Sequence, residues 1–123
     1  MSRVVHFEVP VRNSEAARKF YGNVLSWQFF RWEGPEEYWL ITTGENETPG
    51  INGAFYTPDP EMSGTVNTVE VDNLDEALAR VKANGGQMAS PINRIPGVGI
   101  LAYVKDPEGN TFGMMQRDPN AMM

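Results

Sequence analysis

The amino-acid sequence predicts an α+β fold of two βαβββ modules, whose curled mixed sheets surround a concave cavity and whose helices lie outside. Three observations support this prediction: the N-terminal residues alternate like a strand, the next segment has helical spacing, and both patterns recur later. The stretch VPVRN at 9–13 is echoed by VEVDN at 69–73, and an alanine-containing helical pattern follows each copy. The sequence therefore contains an internal repeat.

The first module begins with an alternating segment at 3–11, which is typical of a half-buried strand. The alternation places His6 and Glu8 on one face and mainly valine side chains on the other, where we expect the first helix to pack. That helix is capped by Asn13 or Ser14. Short stretches rich in aromatic and β-branched residues then predict three strands, at 27–32, 38–43 and 51–56.

The second module repeats this order and marks its helix more clearly. Asn73 is a capping residue, Glu76 lies three positions later as in a capping box, and a glycine pair follows the helix predicted at 74–84. Further strands are predicted at 87–95, 100–105 and 110–117. We therefore expect a single domain over residues 1–123. It consists of module one at 1–57, a linker at 58–63, module two at 64–117 and a tail at 118–123.

Composition excludes several kinds of function. The chain has no cysteine, which excludes disulfides, cysteine-based zinc sites and iron–sulfur ligation. Its 16 acidic and 10 basic residues give a formal net charge of −6, and the basic residues do not cluster, so no nucleic-acid partner is expected. No apolar run reaches membrane-spanning length, and the N-terminal residues lack the character of a signal peptide. We therefore expect a cytoplasmic protein without a membrane partner.

Four stretches carry a family resemblance: HFEVPVRNSEAARKFYGNVLSW, YWLITTGENETPGING, VEVDNLDEALARVKANGG and AYVKDPEGNTFGMMQ. In these stretches the sequence resembles the vicinal oxygen chelate superfamily, which includes glyoxalase I, bleomycin resistance proteins and extradiol dioxygenases. The match is to a subgroup of small bacterial glyoxalase-like proteins. The resemblance implies paired βαβββ modules, a homodimer and a small-molecule ligand. For the catalytic relatives, it also implies a divalent metal bound by four inward-facing strand positions.

His6 matches the first of these metal-binding positions, whereas the other three carry no ligand. The repeat partner of His6 is Val66, the last-strand position falls on Gly113, and the remaining position falls on Gly53. A catalytic zinc needs about three protein ligands, and nickel or iron sites also need several imidazoles and carboxylates. The single histidine also argues against an extradiol dioxygenase. We therefore expect no resident metal cofactor, and at most weak binding of Ni, Zn, Mn or Fe through His6.

Three interpretations of the N-terminal polar residues stay open. His6 and Glu8 could form an improvised metal site with Glu70, they could contact or exchange protons with a ligand, or they could line a hydrated cavity. The same alternation predicts a mostly apolar ligand-binding wall. Its members are Ile51, Phe55, Val66, Thr68, Glu70, Thr111 and Met115. The large aromatic residues Trp27, Trp32, Tyr38 and Trp39 could stack on a ligand or pack in the core or a dimer interface.

Two hypotheses of function follow. The first is a glyoxalase-related lyase or isomerase acting on a small oxygenated metabolite, with His6 and Glu8 as candidate catalytic residues. The second is a metal-free protein that sequesters a ligand without chemistry and resembles bleomycin resistance proteins in this respect. The loss of three metal-binding positions favours the second hypothesis, and the choice between them depends on the site.

Overall fold

The computed structural model describes residues 1–118 of the chain. Its elements are β1 (Val4–Pro10), α1 (Ser14–Leu25), β2 (Gln28–Arg31), β3 (Trp39–Thr42), β4 (Gly53–Tyr56), β5 (Val66–Glu70), α2 (Leu74–Ala83), β6 (Gln87–Met88), β7 (Asn93–Ile95), β8 (Gly99–Lys105) and β9 (Thr111–Arg117). They form two compact units. The N-terminal unit runs from Val5 to Val66, and the C-terminal unit combines Met1–Val4 with the chain from Asn67 onward. Of the predicted tail at 118–123, residues 119–123 lie outside the described residues.

The N-terminal unit contains α1 and a mixed sheet with the strand order β2-β3-β4-β1. β2 pairs with β3 and β3 with β4 in antiparallel orientation, and β4 returns alongside β1 in parallel. In that parallel pair, Phe7 lies opposite Gly53 and Glu8 lies opposite Ala54. Asn13 caps α1, because its side-chain oxygen accepts a 3.0 Å hydrogen bond from the amide of Ala16.

The C-terminal unit repeats this plan. Its sheet has the order β5-β9-β8-β6, β7 also pairs with β8, and β9 returns in parallel beside β5. Asn73 caps α2 by accepting a 3.0 Å hydrogen bond from the amide of Glu76, and Gly85 adopts a left-handed φ of 89° just after the helix. The matching caps and the matching parallel pairs confirm the predicted α+β fold of two βαβββ modules.

The apolar stripe of α2 packs into the core of the C-terminal unit. Leu74 and Ala77 are fully buried, and they belong to one cluster with residues of β8 and β9 such as Val104 and Met114. The side chain of Gln116 also accepts a 2.8 Å hydrogen bond from the amide of Leu74, which satisfies one free donor at the start of the helix. α2 therefore covers one face of its sheet.

Two elements differ from the sequence-based expectation. The strand predicted at 87–95 is divided into β6 and β7, which both pair with β8. Pro91 lies between them, and proline cannot donate a ladder hydrogen bond.

The second difference concerns α1, none of whose residues is buried although its apolar residues have helical spacing. Phe20 and Val24 are each 58% exposed. The inward contacts of the helix come from Tyr21, which stacks on Trp27 with 5.3 Å between ring centroids, and from a cation–π contact to Trp39 of β3. α1 is therefore held to its sheet by aromatic and cation–π contacts and leaves an apolar strip exposed. Neither of the described helices is long and apolar enough to span a membrane.

Two glycine substitutions in the N-terminal unit should have opposite effects on stability. A Cβ atom at Gly53 would lie 2.5 Å from the carbonyl oxygen of Phe7, so Gly53→Ala should lower the free energy of unfolding by about 1–3 kcal/mol. A Cβ atom at Gly22, inside α1, would meet its nearest neighbours at an ordinary 3.7 Å. Gly22→Ala should therefore stabilise the protein by about 0.5–1 kcal/mol. Denaturant unfolding measures both changes, and equal effects of the two substitutions would contradict the strand register.

Candidate functional site

The sheet of the N-terminal unit has one face covered by α1 and an opposite face, which we call the distal face. The ring of Phe55 lies 5.7 Å from Tyr21 of α1, and the guanidinium of Arg18 in α1 lies 3.8 Å above the ring of Trp39. Phe55 and Trp39, which are opposite each other in β4 and β3, therefore lie on the covered face. Because side chains alternate along a strand, their neighbours in sequence lie on the distal face. The distal face carries His6, Glu8, Leu40, Ala54 and Tyr56.

Three polar side chains meet on the distal face: His6, Glu8 and Tyr38. The hydroxyl of Tyr38 donates a 3.0 Å hydrogen bond to Oε2 of Glu8 and lies 3.3 Å from Nε2 of His6. Glu8 is only 3% exposed, whereas His6 and Tyr38 are half-buried. The structure therefore brings together the two predicted catalytic residues and adds a tyrosine between them.

Burial determines the protonation of the aromatic polar groups on this face. It lowers the pKa of His6 below its ordinary value, and the negative charge of Glu8 opposes this effect only in part. Burial also raises the pKa of Tyr56, and the charges of Glu8 and Asp59 raise it further. Tyr56 therefore keeps its proton and donates a 2.7 Å hydrogen bond to the carbonyl of Gly64. At neutral pH the neutral imidazole of His6 is thus the available base among these groups.

Two members of the predicted ligand-binding wall lie elsewhere. Phe55 was expected on the face of His6, but it is fully buried on the covered face, stacked on Phe29 with 5.3 Å between ring centroids. Ile51 precedes β4 by two residues and is 36% exposed, and its carbonyl accepts a hydrogen bond from Thr43. Phe55 lies on the covered face because the register of β4 differs by one residue from the expected register. It places Ala54, not Gly53 or Phe55, on the distal face.

The other predicted wall residues share one face of the strands β5 and β9. The register places Thr68 opposite Gly113 and Glu70 opposite Met115. By alternation, Val66 and Thr111 lie on the same face as these residues. Thr68 is 3% exposed and Val66 is 1% exposed. Glu70 forms an ion pair with Arg117, with 2.9 Å between Nη2 and Oε1.

The available side chains do not fit the metal site of the catalytic relatives. Among residues 1–118, no three His, Cys, Asp or Glu side chains are close enough to hold a metal ion together. The Tyr38 hydroxyl occupies the space between Nε2 of His6 and Oε2 of Glu8 that a shared metal would need. The Glu70 carboxylate of the improvised site is already bound to Arg117.

The family resemblance assigns a carboxylate ligand in the last strand to Gly113, and neighbouring atoms occupy the space that a side chain there would need. A Cβ atom at Gly113 would lie 2.7 Å from Oγ1 of Thr68 and 3.2 Å from the ring of Tyr103. Any side chain at this position therefore requires Thr68 to move. In the N-terminal unit, the register assigns the equivalent position to Ala54, which has no donor atom and is fully buried.

The large aromatic residues divide between the two faces. Trp27 and Trp39 belong to the covered face, through the stacking on Tyr21 and the cation–π contact with Arg18. Trp32 lies edge-on to Tyr38 with 6.0 Å between ring centroids and is 37% exposed. Phe30 lies opposite Leu40 and is 65% exposed. An exposed aromatic patch, made of Phe30, Trp32 and Leu40, therefore borders the polar group.

The sequence predicts Tyr38 only as a stacking or packing residue, whereas its hydroxyl contacts both Glu8 and His6 in the structure. Tyr38 follows the turn-like stretch EGPEE and immediately precedes β3. Tyr38 precedes Leu40 by two residues, and residues two apart in a strand share a face. This spacing could have indicated that Tyr38 faces the same side of the sheet as Leu40. That signal becomes useful only once the partner strand of β3 and its register are known.

Comparisons with known proteins identify the family. The model of the Glyoxalase/Bleomycin resistance protein/Dioxygenase superfamily matches residues 3–114. A lactoylglutathione lyase of Neisseria meningitidis serogroup B is 29% identical over 94% of this chain and 91% of its own length. A lactoylglutathione lyase of Salmonella typhimurium is 29% identical over 93% of this chain and 92% of its own.

Solved structures show the same fold. A methylmalonyl-CoA epimerase from Mycobacterium tuberculosis has a TM-score of 0.71 at 15% identity, covering 94% of this chain and 88% of the epimerase. A member of the glyoxalase/bleomycin resistance protein/dioxygenase superfamily from Vibrio splendidus has a TM-score of 0.66 at 20% identity, covering 96% of this chain and 100% of that protein. At these identities the likeness concerns the fold alone.

The lowered pKa of His6 predicts a pH-dependent contribution to stability. The unfolded chain binds a proton near the ordinary pKa of about 6.5, whereas the folded chain binds it only at lower pH. The stability that neutral His6 contributes is therefore fully present above the unfolded-state pKa of about 6.5 and is lost as the pH falls toward the lower folded-state pKa. Between about pH 7.5 and 5.5 the wild type should lose more unfolding free energy than His6→Gln. Denaturant unfolding across this range checks the prediction, and parallel losses would contradict it.

Proposed function

The chain belongs to the Glyoxalase/Bleomycin resistance protein/Dioxygenase superfamily, and on this basis we propose that it is a glyoxalase-like lyase or isomerase. It would bind a small oxygenated metabolite at the distal face and move a proton on it. One observation carries the proposal: the Tyr38 hydroxyl lies within hydrogen-bond distance of both the imidazole of His6 and the buried carboxylate of Glu8. The lactoylglutathione lyases among the relatives are consistent with such a reaction class.

The proposed chemistry is the removal of a proton from a carbon next to a carbonyl group. His6 accepts the proton, the C–H electron pair moves into the carbonyl, and the proton returns to the same carbon or a neighbouring atom. No oxidant or reductant is needed. The lowered pKa keeps His6 unprotonated at neutral pH, and the charge of Glu8 stabilises the imidazolium that forms.

We further propose that the metal site of the catalytic relatives is degenerate in this chain. The support is the donor set. Val66, Gly113 and Gly53 offer no ligand atoms where the family resemblance calls for them, and Ala54, which the register places opposite Glu8, offers none either. Ni, Zn, Mn or Fe would then bind weakly, through His6. The chemistry proposed here uses no metal-bound intermediate.

A second candidate function is the sequestration of a ligand without chemistry. It is favoured by the aromatic patch of Phe30, Trp32 and Leu40, which is exposed beside the polar group. Exposed aromatic side chains close to Tyr38 suit a neutral or cationic aromatic ligand. In that case His6 and Glu8 would be contact residues.

Deuterium exchange separates the two candidates. Chelator-treated protein in D₂O should incorporate deuterium into the carbon next to the carbonyl of a responsive compound, as NMR detects. The screen includes S-lactoylglutathione, methylmalonyl-CoA and 2-oxo aldehydes with glutathione. His6→Gln should lower the exchange rate by about 100-fold or more. Lys82→Ala, an exposed substitution on α2, is the control and should leave the rate unchanged.

Protein purified without any chelator tests the metal proposal. Elemental analysis of untagged protein should find metal well below one equivalent, in the wild type and in His6→Gln alike. One equivalent of metal that disappears in His6→Gln would overturn the metal-poor interpretation. Tight binding of an aromatic cation without any deuterium exchange would favour sequestration instead, especially if Trp32→Ala abolished that binding.

We also propose that the chain forms a homodimer that covers the apolar strip of α1, defined by Phe20, Val24 and Leu25. These side chains are between 47% and 58% exposed, which is unusual for a cluster of this kind on a helix. A dimer would remove the strip from water.

Single substitutions on α1 test the dimer. Phe20→Glu should weaken association at least tenfold, because it places a charge in the strip. Asn23→Glu adds the same charge at an exposed polar position of the same helix and should have little effect. Analytical ultracentrifugation measures both dissociation constants. A wild-type protein that stays monomeric at high concentration would refute the dimer.

A further inference from the structure

The hydroxyl group of Tyr38 has one proton and lies within hydrogen-bond distance of the side chains of Glu8 and His6. Its oxygen lies 3.0 Å from Oε2 of Glu8 and 3.3 Å from Nε2 of His6. An ionised carboxylate only accepts hydrogen bonds, whereas each imidazole nitrogen either donates or accepts, depending on the tautomer. The direction of the first hydrogen bond therefore determines the direction of the second.

The buried carboxylate of Glu8 determines the direction of the hydrogen bond between Tyr38 and Glu8. Glu8 is 3% exposed, and a buried carboxylate requires donors. If the Tyr38 proton pointed at His6 instead, the lone pairs of the tyrosine oxygen and of Oε2 would face each other at 3.0 Å. The proton therefore lies toward Glu8, and the tyrosine oxygen is left to accept a hydrogen bond from Nε2–H of His6.

We propose that Tyr38 is a positioning residue that holds neutral His6 as the Nε2–H tautomer and leaves Nδ1 as its basic nitrogen. The tautomer follows from the hydrogen bonds alone, whereas the use of Nδ1 as a base rests on the proposed function. Tyr38 fixes the orientation of the imidazole ring. Because the Tyr38 hydroxyl donates to Glu8, it can only accept a hydrogen bond from His6. A ligand is then expected to present its acidic C–H to Nδ1, on the ring edge away from Tyr38.

The order of these hydrogen bonds determines how substitutions of Tyr38 and Glu8 should affect His6. Tyr38 does not itself exchange a proton with the ligand, so its loss should alter the protonation pattern of His6 without removing the base. Glu8 acts through Tyr38, so its neutral isostere should release the tyrosine proton. An amide at position 8 can donate to the tyrosine oxygen, which frees the hydroxyl to donate to Nε2 and favours the Nδ1–H tautomer.

The chain contains one histidine, so ¹⁵N NMR of the imidazole reports on His6 without assignment. At a pH above the His6 titration, wild-type protein should show a protonated Nε2 and an unprotonated Nδ1, with no averaging between them. Tyr38→Phe should show averaged signals of both tautomers. Glu8→Gln should shift the population toward Nδ1–H. Tyr21→Phe removes a hydroxyl from the covered face and should leave the wild-type pattern.

Each outcome bears on the proposal. An Nδ1–H tautomer or a mixture in the wild type would overturn it, as would an unchanged pattern in both Tyr38→Phe and Glu8→Gln. If Tyr38→Phe does not fold, the isosteric Glu8→Gln variant carries the test. The NMR pattern needs no substrate, so a failed exchange assay refutes the proposed function while leaving the tautomer assignment open to its own test. Where exchange occurs, Tyr38→Phe should lower kcat more than it changes KM.

Discussion

The burial of the Glu8 carboxylate is the constraint on which the candidate site depends. A carboxylate with 3% exposure costs free energy unless donors compensate for the water it has lost. Tyr38 supplies a 3.0 Å hydrogen bond, which ties the residue before β3 to the centre of β1. Because the same hydroxyl reaches His6, the satisfaction of one buried charge also sets the position of the single imidazole of the chain.

Strand register is the second determinant, because a shift of one residue exchanges the two faces of a strand. The parallel pairing of β1 with β4 places Glu8 opposite Ala54, and the pairing of β5 with β9 places Thr68 opposite Gly113. Glu8 and Thr68 occupy equivalent positions of the repeat. Ala54 and Gly113 are therefore equivalent too, and small residues beside both give the larger side chains room.

The sequence predicted the fold well because its signals are local and repeated. The caps Asn13 and Asn73 lie sixty positions apart and both form the expected hydrogen bonds. The face of β4 could not be predicted, since the glycine in INGAFY carries no side chain to reveal an alternation and the strand begins only at Gly53. Tyr38 was equally hidden, because its partners lie 30 and 32 residues away and are joined to it only by the register.

Three features of the described residues oppose a metal site of the kind that the family resemblance implies. A glutamate at Gly113 would meet Thr68, a ligand pair between His6 and Glu8 would meet the Tyr38 hydroxyl, and Val66 offers no donor. Each obstacle is a packed or hydrogen-bonded side chain, so restoring one ligand alone would create strain without completing a site. The distal face instead holds a hydrogen-bonded group of His6, Tyr38 and Glu8, in which burial lowers the pKa of the imidazole. Under the proposed function this group would move a proton or orient a ligand, beside the exposed patch that includes Trp32.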